Sequence, residues 1–115
     1  MVQHSLVAML EFFHQGKISL EKIVEKMSHD PAILFRINDR GYIREGYFAD
    51  LVLVDLNDPW EVNKSNILAK CGWSPFEGSS FRSSVMKTFV SGNMAYNDNK
   101  ISSQESGKRL TFNVS

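Results

Sequence analysis

Cysteine is nearly absent from this sequence, and neither sign of charge is in excess. The single cysteine, Cys71, excludes an intrachain disulfide and a zinc site built from cysteines, and one unpaired thiol is typical of the reducing cytoplasm. Thirteen basic residues balance thirteen acidic ones, so the chain lacks the basic surface that nucleic acids and anionic membranes attract. We therefore expect a cytoplasmic protein without a nucleic-acid partner.

Long apolar runs are missing as well. No stretch approaches the roughly 18 apolar residues that span a bilayer. The first residues also lack the basic and apolar regions of a signal peptide. We expect no membrane partner.

Histidine patterns that bind metal ions are absent too. His4, His14 and His29 form neither a His-x-His pair nor a His-Glu-x-x-His motif. His4 and His14 would lie about 15 Å apart along a helix, so they could not share one ion. We expect all three histidines at the surface or at helix ends, and we assign no catalytic, metal-binding or substrate-binding residue to this chain.

What the sequence does have is the composition of one folded domain. Of its 115 residues 43% are hydrophobic, which is too apolar for intrinsic disorder. The length suits a single domain of about 100–150 residues. It excludes a complete (β/α)8 barrel enzyme, which needs about 250 residues.

Helical periodicity dominates the first 40 residues. A helix is predicted over residues 3–15, ending at Gly16, and a second begins with Ser19 as its N-cap. A third, short helix is predicted to start at Asp30 as N-cap, with Pro31 as its first residue. The apolar face of the first helix consists of Leu6, Met9, Leu10 and Phe13, widened by Val2 and Phe12. The expected buried face of the second consists of Leu20, Ile23, Val24 and Met27.

After residue 40 the pattern becomes that of β-strands. The run Leu-Val-Leu-Val at 51–54 is apolar on both faces and is expected to be buried on both. Residues 60–62 predict a short strand, and 81–90 with 94–96 predict a hairpin turning at 91–93. Helices followed by strands define an α+β fold. The few strands cannot cover both faces of 51–54, so part of the expected covering surface is missing from this sequence.

Two acidic residues bracket the apolar strand. Asp50 and Asp55 would lie about 15 Å apart along it. A pair of catalytic carboxylates in a glycosidase-type mechanism needs a separation below about 10 Å. We therefore expect each carboxylate to end the strand and to accept hydrogen bonds from turn amides.

The segment 70–78 combines glycine, proline and two large aromatic residues. We favour an ordered loop anchored in the core by Trp73 and Phe76 over a loop that contacts a ligand. Cys71 in this segment has no adjacent histidine to act as a base, so a nucleophilic role is not expected.

Four segments, taken in order, resemble the C-terminal region of amidohydrolase-superfamily enzymes. Residues 30–32 resemble an Asn-Pro-Ala helix start, with Asp where Asn is usual, and residues 41–55 resemble G-x-I-x-x-G-x-x-A-D-L-V-x-x-D. Residues 74–78 are similar to the [ST]-P-[FY]-x-G motif of dihydroorotases and allantoinases, and residues 85–96 to the family's closing hairpin. Hydantoinases lack the Ser-Pro-Phe-x-Gly form, so the dihydroorotase family is the closest match. The motif residues are Ala49, Asp50, Leu51, Asp55, Ser74, Pro75, Phe76 and Gly78.

This resemblance implies a zinc-dependent parent enzyme that interconverts carbamoyl aspartate and dihydroorotate in pyrimidine biosynthesis. The family's metal ligands are a His-x-His pair, a carboxylated lysine, two further histidines and an aspartate, and all precede the matched region. None of them maps onto this chain. Zinc is therefore expected in the full-length parent, and no cofactor is expected in this chain.

The resemblance also implies an incomplete α+β fold. Residues 1–40 correspond to the last helices of an amidohydrolase barrel and 41–97 to the C-terminal strands of a composite β-sandwich. Beyond the resemblance, the serine-rich segment 102–106 predicts that 98–115 is a flexible tail with a short apolar ending. The expected partners are the barrel and the N-terminal sandwich strands of the parent. The chain alone is expected to be inactive and to self-associate. The alternative is a free-standing, non-catalytic structural or interaction module related to dihydroorotases.

Overall fold

The first predicted helix and its glycine end are confirmed in the computed structural model, which describes residues 2–102 and 107–113. A turn of 3-10 helix, Val2–His4, leads into helix α1, Ser5–His14. Gly16 has a φ of +74°, and its N–H donates to the Phe13 carbonyl at 3.0 Å. Glycine adopts this left-handed conformation without steric cost, which is why the helix ends here.

The second and third predicted helices form one helical segment over residues 20–34. It consists of α2 (Leu20–Val24), a π-helical stretch (Glu25–His29) and α3 (Asp30–Leu34). The Ser19 cap is confirmed, because the Lys22 N–H donates to Ser19 Oγ at 3.1 Å. Helix α3 begins at Asp30, where a third helix was predicted, but the N-cap role predicted for Asp30 is wrong. Asp30 has helical φ and ψ of −61° and −44°, and its carboxylate pairs with Lys26 at 3.0 Å instead of capping.

Only part of the predicted apolar face of this segment is buried. Ile23 is 3% exposed, whereas Val24 and Met27 are 47% and 39% exposed. In α1, Leu10 is buried as predicted, but Val7 is buried as well, and Val2 in the preceding 3-10 turn faces solvent. The predicted faces were therefore partly wrong, and several of their apolar side chains lie at the surface of this chain.

Six strands form two antiparallel sheets among the described residues. They are β1 (Leu51–Asp55), β2 (Trp60–Glu61), β3 (Ser80–Phe81), β4 (Ser84–Val90), β5 (Asn93–Asn97) and β6 (Lys100–Ile101). The larger sheet has the order β1-β4-β5-β6, and β2 pairs with β3. The α+β class is thus confirmed.

The β4–β5 hairpin is confirmed, with its turn at Ser91 and Gly92. Both residues have positive φ, 51° and 83°, as type I′ hairpin turns require. Phe81, which was predicted as part of the hairpin, belongs to β3 instead and pairs with Trp60.

The prediction that residues 51–54 are buried on both faces is wrong for this chain. Leu51, Val52 and Leu53 are 37%, 47% and 56% exposed. One edge of β1 pairs with β4, and its other edge has no neighbouring strand in the described part of the chain. The apolar strand is therefore open on an edge and on its faces.

The core is small and lies between α1 and the β2–β3 pair. Val7, Val62 and Phe81 form its buried centre, and Trp60 and Phe76 pack against it. Among the described residues, seventeen large apolar side chains are exposed, against six buried apolar residues. Such a ratio is unusual for a chain that folds without covering partners.

Part of the predicted tail lies against the helical region. Ile37 and Phe112 form an antiparallel bridge, and the Asn38 N–H donates to the Thr111 carbonyl at 2.9 Å. The segment 102–106, predicted to be flexible, falls outside the described residues except for Ser102. Among the residues that the structure covers, no helix is long and apolar enough to cross a membrane.

Candidate functional site

A buried histidine occupies the junction of α1 and the β2–β3 pair. His4 is 1% exposed, and its ring centroid lies 5.9 Å from that of Trp60, 5.8 Å from Phe76 and 6.3 Å from Phe81. His4 thus lies at a helix end, one of the two positions expected for the histidines, but it is buried there. The 3-10 turn before α1 directs this side chain into the aromatic cluster.

Ser74 contacts one ring nitrogen of this histidine. Ser74 Oγ accepts the Phe76 N–H at 3.1 Å and lies 3.1 Å from His4 Nδ1. The other ring nitrogen, Nε2, is buried without a hydrogen-bond partner in the described structure. Burial lowers the pKa of His4 from its ordinary value of 6.5, so the ring is neutral at pH 7.

Within the loop 70–78, only one of the two expected aromatic anchors is in the core. Phe76 packs against the core cluster, whereas Trp73 is 61% exposed, so its predicted role is wrong. Pro75 is exposed, and Gly78, with a φ of +85°, donates its N–H to the Val62 carbonyl at 2.8 Å. The Ser-Pro-Phe-x-Gly motif thus joins the loop to the core through Ser74, Phe76 and Gly78.

Asp50 and Asp55 bond turn amides, as predicted. Asp50 Oδ1 accepts the Ser91 N–H at 2.8 Å, and Asp55 Oδ1 accepts the Asn57 N–H at 2.8 Å. Asp50 also forms an ion pair with Arg40, whose side chain is only 8% exposed. No sequence signal pointed to Arg40, because its partner lies ten residues away across an irregular loop.

Ala49 and Leu51, the motif residues on either side of Asp50, form backbone contacts within the sheet. The Ala49 carbonyl accepts the Gly92 N–H at 3.0 Å, which ties the start of β1 to the hairpin turn. Leu51 pairs with Phe89 of β4.

The remaining candidates do not converge. His14 Nε2 lies 2.8 Å from Ser83 Oγ, His29 Nδ1 lies 2.8 Å from the Gly41 carbonyl, and Cys71 is exposed. No group of three or more His, Cys, Asp or Glu side chains within residues 2–102 and 107–113 could hold a metal ion. These residues do not fit the zinc centre that the resemblance implies for a parent enzyme.

A cleft of about 770 Å³ lies on one face of the four-stranded sheet, between the sheet and the start of α1. A row of directly paired residues crosses all four strands and lines it: Val52, Thr88, Tyr96 and Ile101. Leu6 and Trp60 line it from the helix side. The apolar residues of the cleft adjoin β1, whose outer edge is open in the described part of the chain.

The sequence profile of the amidohydrolase family matches residues 2–95. A dihydroorotase of Pyrococcus abyssi is 31% identical over 109 residues, covering 95% of this chain and 27% of that protein. An allantoinase of Desulfitobacterium hafniense is 38% identical over 98 residues, covering 85% of this chain and 22% of that protein. The solved structure of an L-hydantoinase (dihydropyrimidinase) from Arthrobacter aurescens superposes with a TM-score of 0.79 at 29% identity, covering 86% of this chain and 22% of that one.

The chain belongs to the amidohydrolase family, a family of hydrolases. Its predicted similarity to dihydroorotases is confirmed over almost its whole length. It spans about a quarter of the length of the dihydroorotase and allantoinase relatives that it matches.

Proposed function

We propose that this chain forms the C-terminal part of a zinc-dependent, cytoplasmic dihydroorotase, which interconverts carbamoyl aspartate and dihydroorotate in pyrimidine biosynthesis. The chain supplies packing surfaces to that enzyme and no catalytic or metal-binding group. The observation that carries the proposal is the apolar strand β1, exposed along one edge, in a chain about a quarter as long as its dihydroorotase relatives.

The exposed surfaces of the chain divide between two partners. The open edge of β1 and the cleft beside Val52 would receive the N-terminal sandwich strands of the parent. Ile33, Leu34 and Phe35 at the end of α3, 63%, 74% and 62% exposed, would pack on the barrel. Burying each such side chain stabilises by about 1.5–3 kcal/mol, so covering these surfaces would outweigh the modest core of the chain itself.

Zinc in the parent would activate a water molecule for attack on the ring amide. Its ligands would come from segments outside this chain, since the described residues do not bring suitable side chains together. The role of this chain is to hold the terminal helices and strands in place through Ser74, Asp50 and Arg40.

Reading the coding DNA upstream of the Met1 codon tests the proposal. An open reading frame that continues upstream and encodes a barrel with a His-x-His pair is the expected result. A stop codon directly upstream, with a separate control region, would contradict it and favour a free-standing, non-catalytic module.

A further inference from the structure

The cleft on the four-stranded sheet combines an apolar row with an acidic end. Its lining includes two carboxylates, Asp58 and Asp98, and no lysine, arginine or histidine among the described residues. We propose that the segment which covers this cleft is an extended strand that presents a lysine or arginine to these two carboxylates. The inference rests on the proposed function, in which another part of the parent enzyme covers the cleft.

The two carboxylates lie at the same end of the sheet. Strands β1 and β5 both run toward that end, because each is antiparallel to β4. Asp58 comes after β1 and Asp98 comes directly after β5. Ser84 Oγ donates to Asp58 Oδ2 at 2.6 Å, and the Asp98 N–H donates to the Met86 carbonyl at 2.9 Å. The acidic end is therefore built on the first residues of β4.

No cation of the described residues is paired with this acidic end. Neither Asp58 nor Asp98 forms an ion pair with another described residue. The lysines of the sheet, Lys87 and Lys100, belong to the row next to the one that lines the cleft. Successive residues of a strand point to opposite faces, so both lysines point away from the cleft. The sheet thus has an acidic face and a basic face.

Covering the cleft takes the two carboxylates out of water. Both Asp58 and Asp98 are exposed in this chain, so water solvates their charges. A carboxylate that is buried without a cation loses this solvation, which opposes the gain from apolar contacts. A covering strand with an acidic side chain at this position is therefore disfavoured. A lysine or arginine compensates the lost solvation with a charge-assisted hydrogen bond.

The apolar part of the cleft determines the rest of the covering strand. The row from Val52 to Ile101 crosses four strands, a width of roughly 14 Å at about 4.8 Å between neighbours. Sheets that pack face to face keep their strand directions within about 30° of each other. The covering strand would then run along β1 and β4, with every second side chain facing the cleft and one strand end above Asp58 and Asp98.

Fluorescence anisotropy with dye-labelled peptides tests the proposal on the full chain at constant ionic strength. The lysine peptide is Lys-Thr-Val-Thr-Val-Thr-Lys, in which both lysines and both valines share one face of a strand. A second peptide carries glutamate in place of both lysines, and a lysine at each end serves either strand direction. The lysine peptide is expected to bind saturably and at least about tenfold more tightly than the glutamate peptide. Equal affinities, or no saturable binding of the lysine peptide, would overturn the proposal.

Matched asparagine variants locate the site. Asp58→Asn keeps an acceptor for Ser84 Oγ, and asparagine at 98 tolerates the φ of +43° found there. Each variant is expected to reduce the preference for the lysine peptide, and the double variant to abolish it. Asp39→Asn is the control, since Asp39 also has a positive φ, 57°, and does not line the cleft. An unchanged preference in the double variant would overturn the assignment.

The failure of this inference is distinguishable from failure of the proposed function. The peptide titration measures the charge preference of the cleft, whereas the upstream reading frame decides whether a parent enzyme is encoded. An upstream barrel together with equal affinities for the two peptides would refute the cationic strand alone.

Discussion

His4 shows what a single residue's sequence context can conceal. The sequence placed His4 in a predicted helix, but the aromatic rings that enclose it belong to segments far along the chain. Its hydrogen-bonded partner, Ser74, is seventy residues away. Local sequence cannot report such burial, because it is produced by tertiary packing. The same holds for Arg40, whereas the turn bonds of Asp55 depend on residues two positions away and were predictable.

We predict that acidification destabilises the chain through His4. Burial lowers its pKa in the folded state below 6.5, so the unfolded chain binds the proton more readily. The stability that the neutral ring contributes is therefore present above pH 6.5 and is lost as the pH falls below that value. Thermal melts between about pH 7.5 and pH 5 measure this effect.

His4→Phe keeps an aromatic ring at this position and removes the titrating group. Its melting temperature should fall less on acidification than that of the unmodified chain, whereas His29→Gln should follow the unmodified chain. Equal losses in His4→Phe and the unmodified chain would assign the pH dependence to other groups.

Two glycines of similar conformation give a matched pair of substitutions. Gly41 and Gly46 have φ of +87° and +84°, but a Cβ at Gly41 would lie 2.5 Å from Ala32 Cβ and 2.8 Å from the Ser28 carbonyl oxygen, while one at Gly46 meets nothing within 4 Å. We predict that Gly46→Ala costs about 1–2 kcal/mol from conformation alone, and that Gly41→Ala costs a further 1–3 kcal/mol from the clash. Urea unfolding measures both, and equal costs would show that the loop does not pack on the helix as described.

Between elements, one ion pair ties α1 to the strand region. Glu11 accepts the backbone N–H of Arg82 at 2.6 Å and its Nη2 at 3.1 Å, and the glutamate side chain is 17% exposed. Burial opposes ionisation, but the bonds from Arg82 outweigh it and lower the pKa of Glu11 below 4.5. The resulting stability is present above pH 4.5 and is lost as the pH falls below it.

We predict that Glu11→Gln destabilises the chain by about 1 kcal/mol, a value discounted because Arg82 is half exposed. Glu25→Gln is the control, since its pair with Lys22 is a surface pair on one helix and is worth at most about 0.5 kcal/mol. Denaturant unfolding at neutral pH compares the two. If Glu11→Gln lowered the free energy of unfolding no more than Glu25→Gln does, the stabilising role of the Glu11–Arg82 pair would be contradicted.

The secondary-structure elements were predictable where a local residue determines the backbone. Gly16, Ser19 and the Ser91–Gly92 turn each act within a few residues, and the structure places helix ends and hairpin at them. The cap role predicted for Asp30 was wrong because proline is tolerated in a first turn and also directly after a π-helical stretch. Which of these occurs depends on packing along the whole segment 20–34, and that information is not local.

Considered as a whole molecule, the chain leaves apolar surface uncovered, and the sequence had pointed to this. An apolar run at 51–54 with too few strands to cover it suggested missing partners, and the structure leaves that run exposed. The sequence could not show where the uncovered apolar surface lies. It lies at the outer edge of β1 and in the cleft beside it.

We predict that the purified chain self-associates through β1. An exposed apolar edge strand recruits other strands, and zero net charge provides little repulsion. Leu53→Lys places a charge on this strand and should shift the population toward monomer, whereas Ile43→Lys, 88% exposed outside any strand, should not. Light scattering over a concentration series measures the mass, and a monodisperse unmodified monomer at all concentrations would contradict the prediction.

The most direct test of the central claim, that this chain carries the surfaces but not the catalytic centre of an amidohydrolase, is a combined zinc and turnover measurement. The purified chain is incubated with zinc, dialysed, and assayed for bound metal and for ring opening of dihydroorotate. The account predicts no stoichiometric zinc and no turnover. One zinc ion per chain together with ring opening would contradict it.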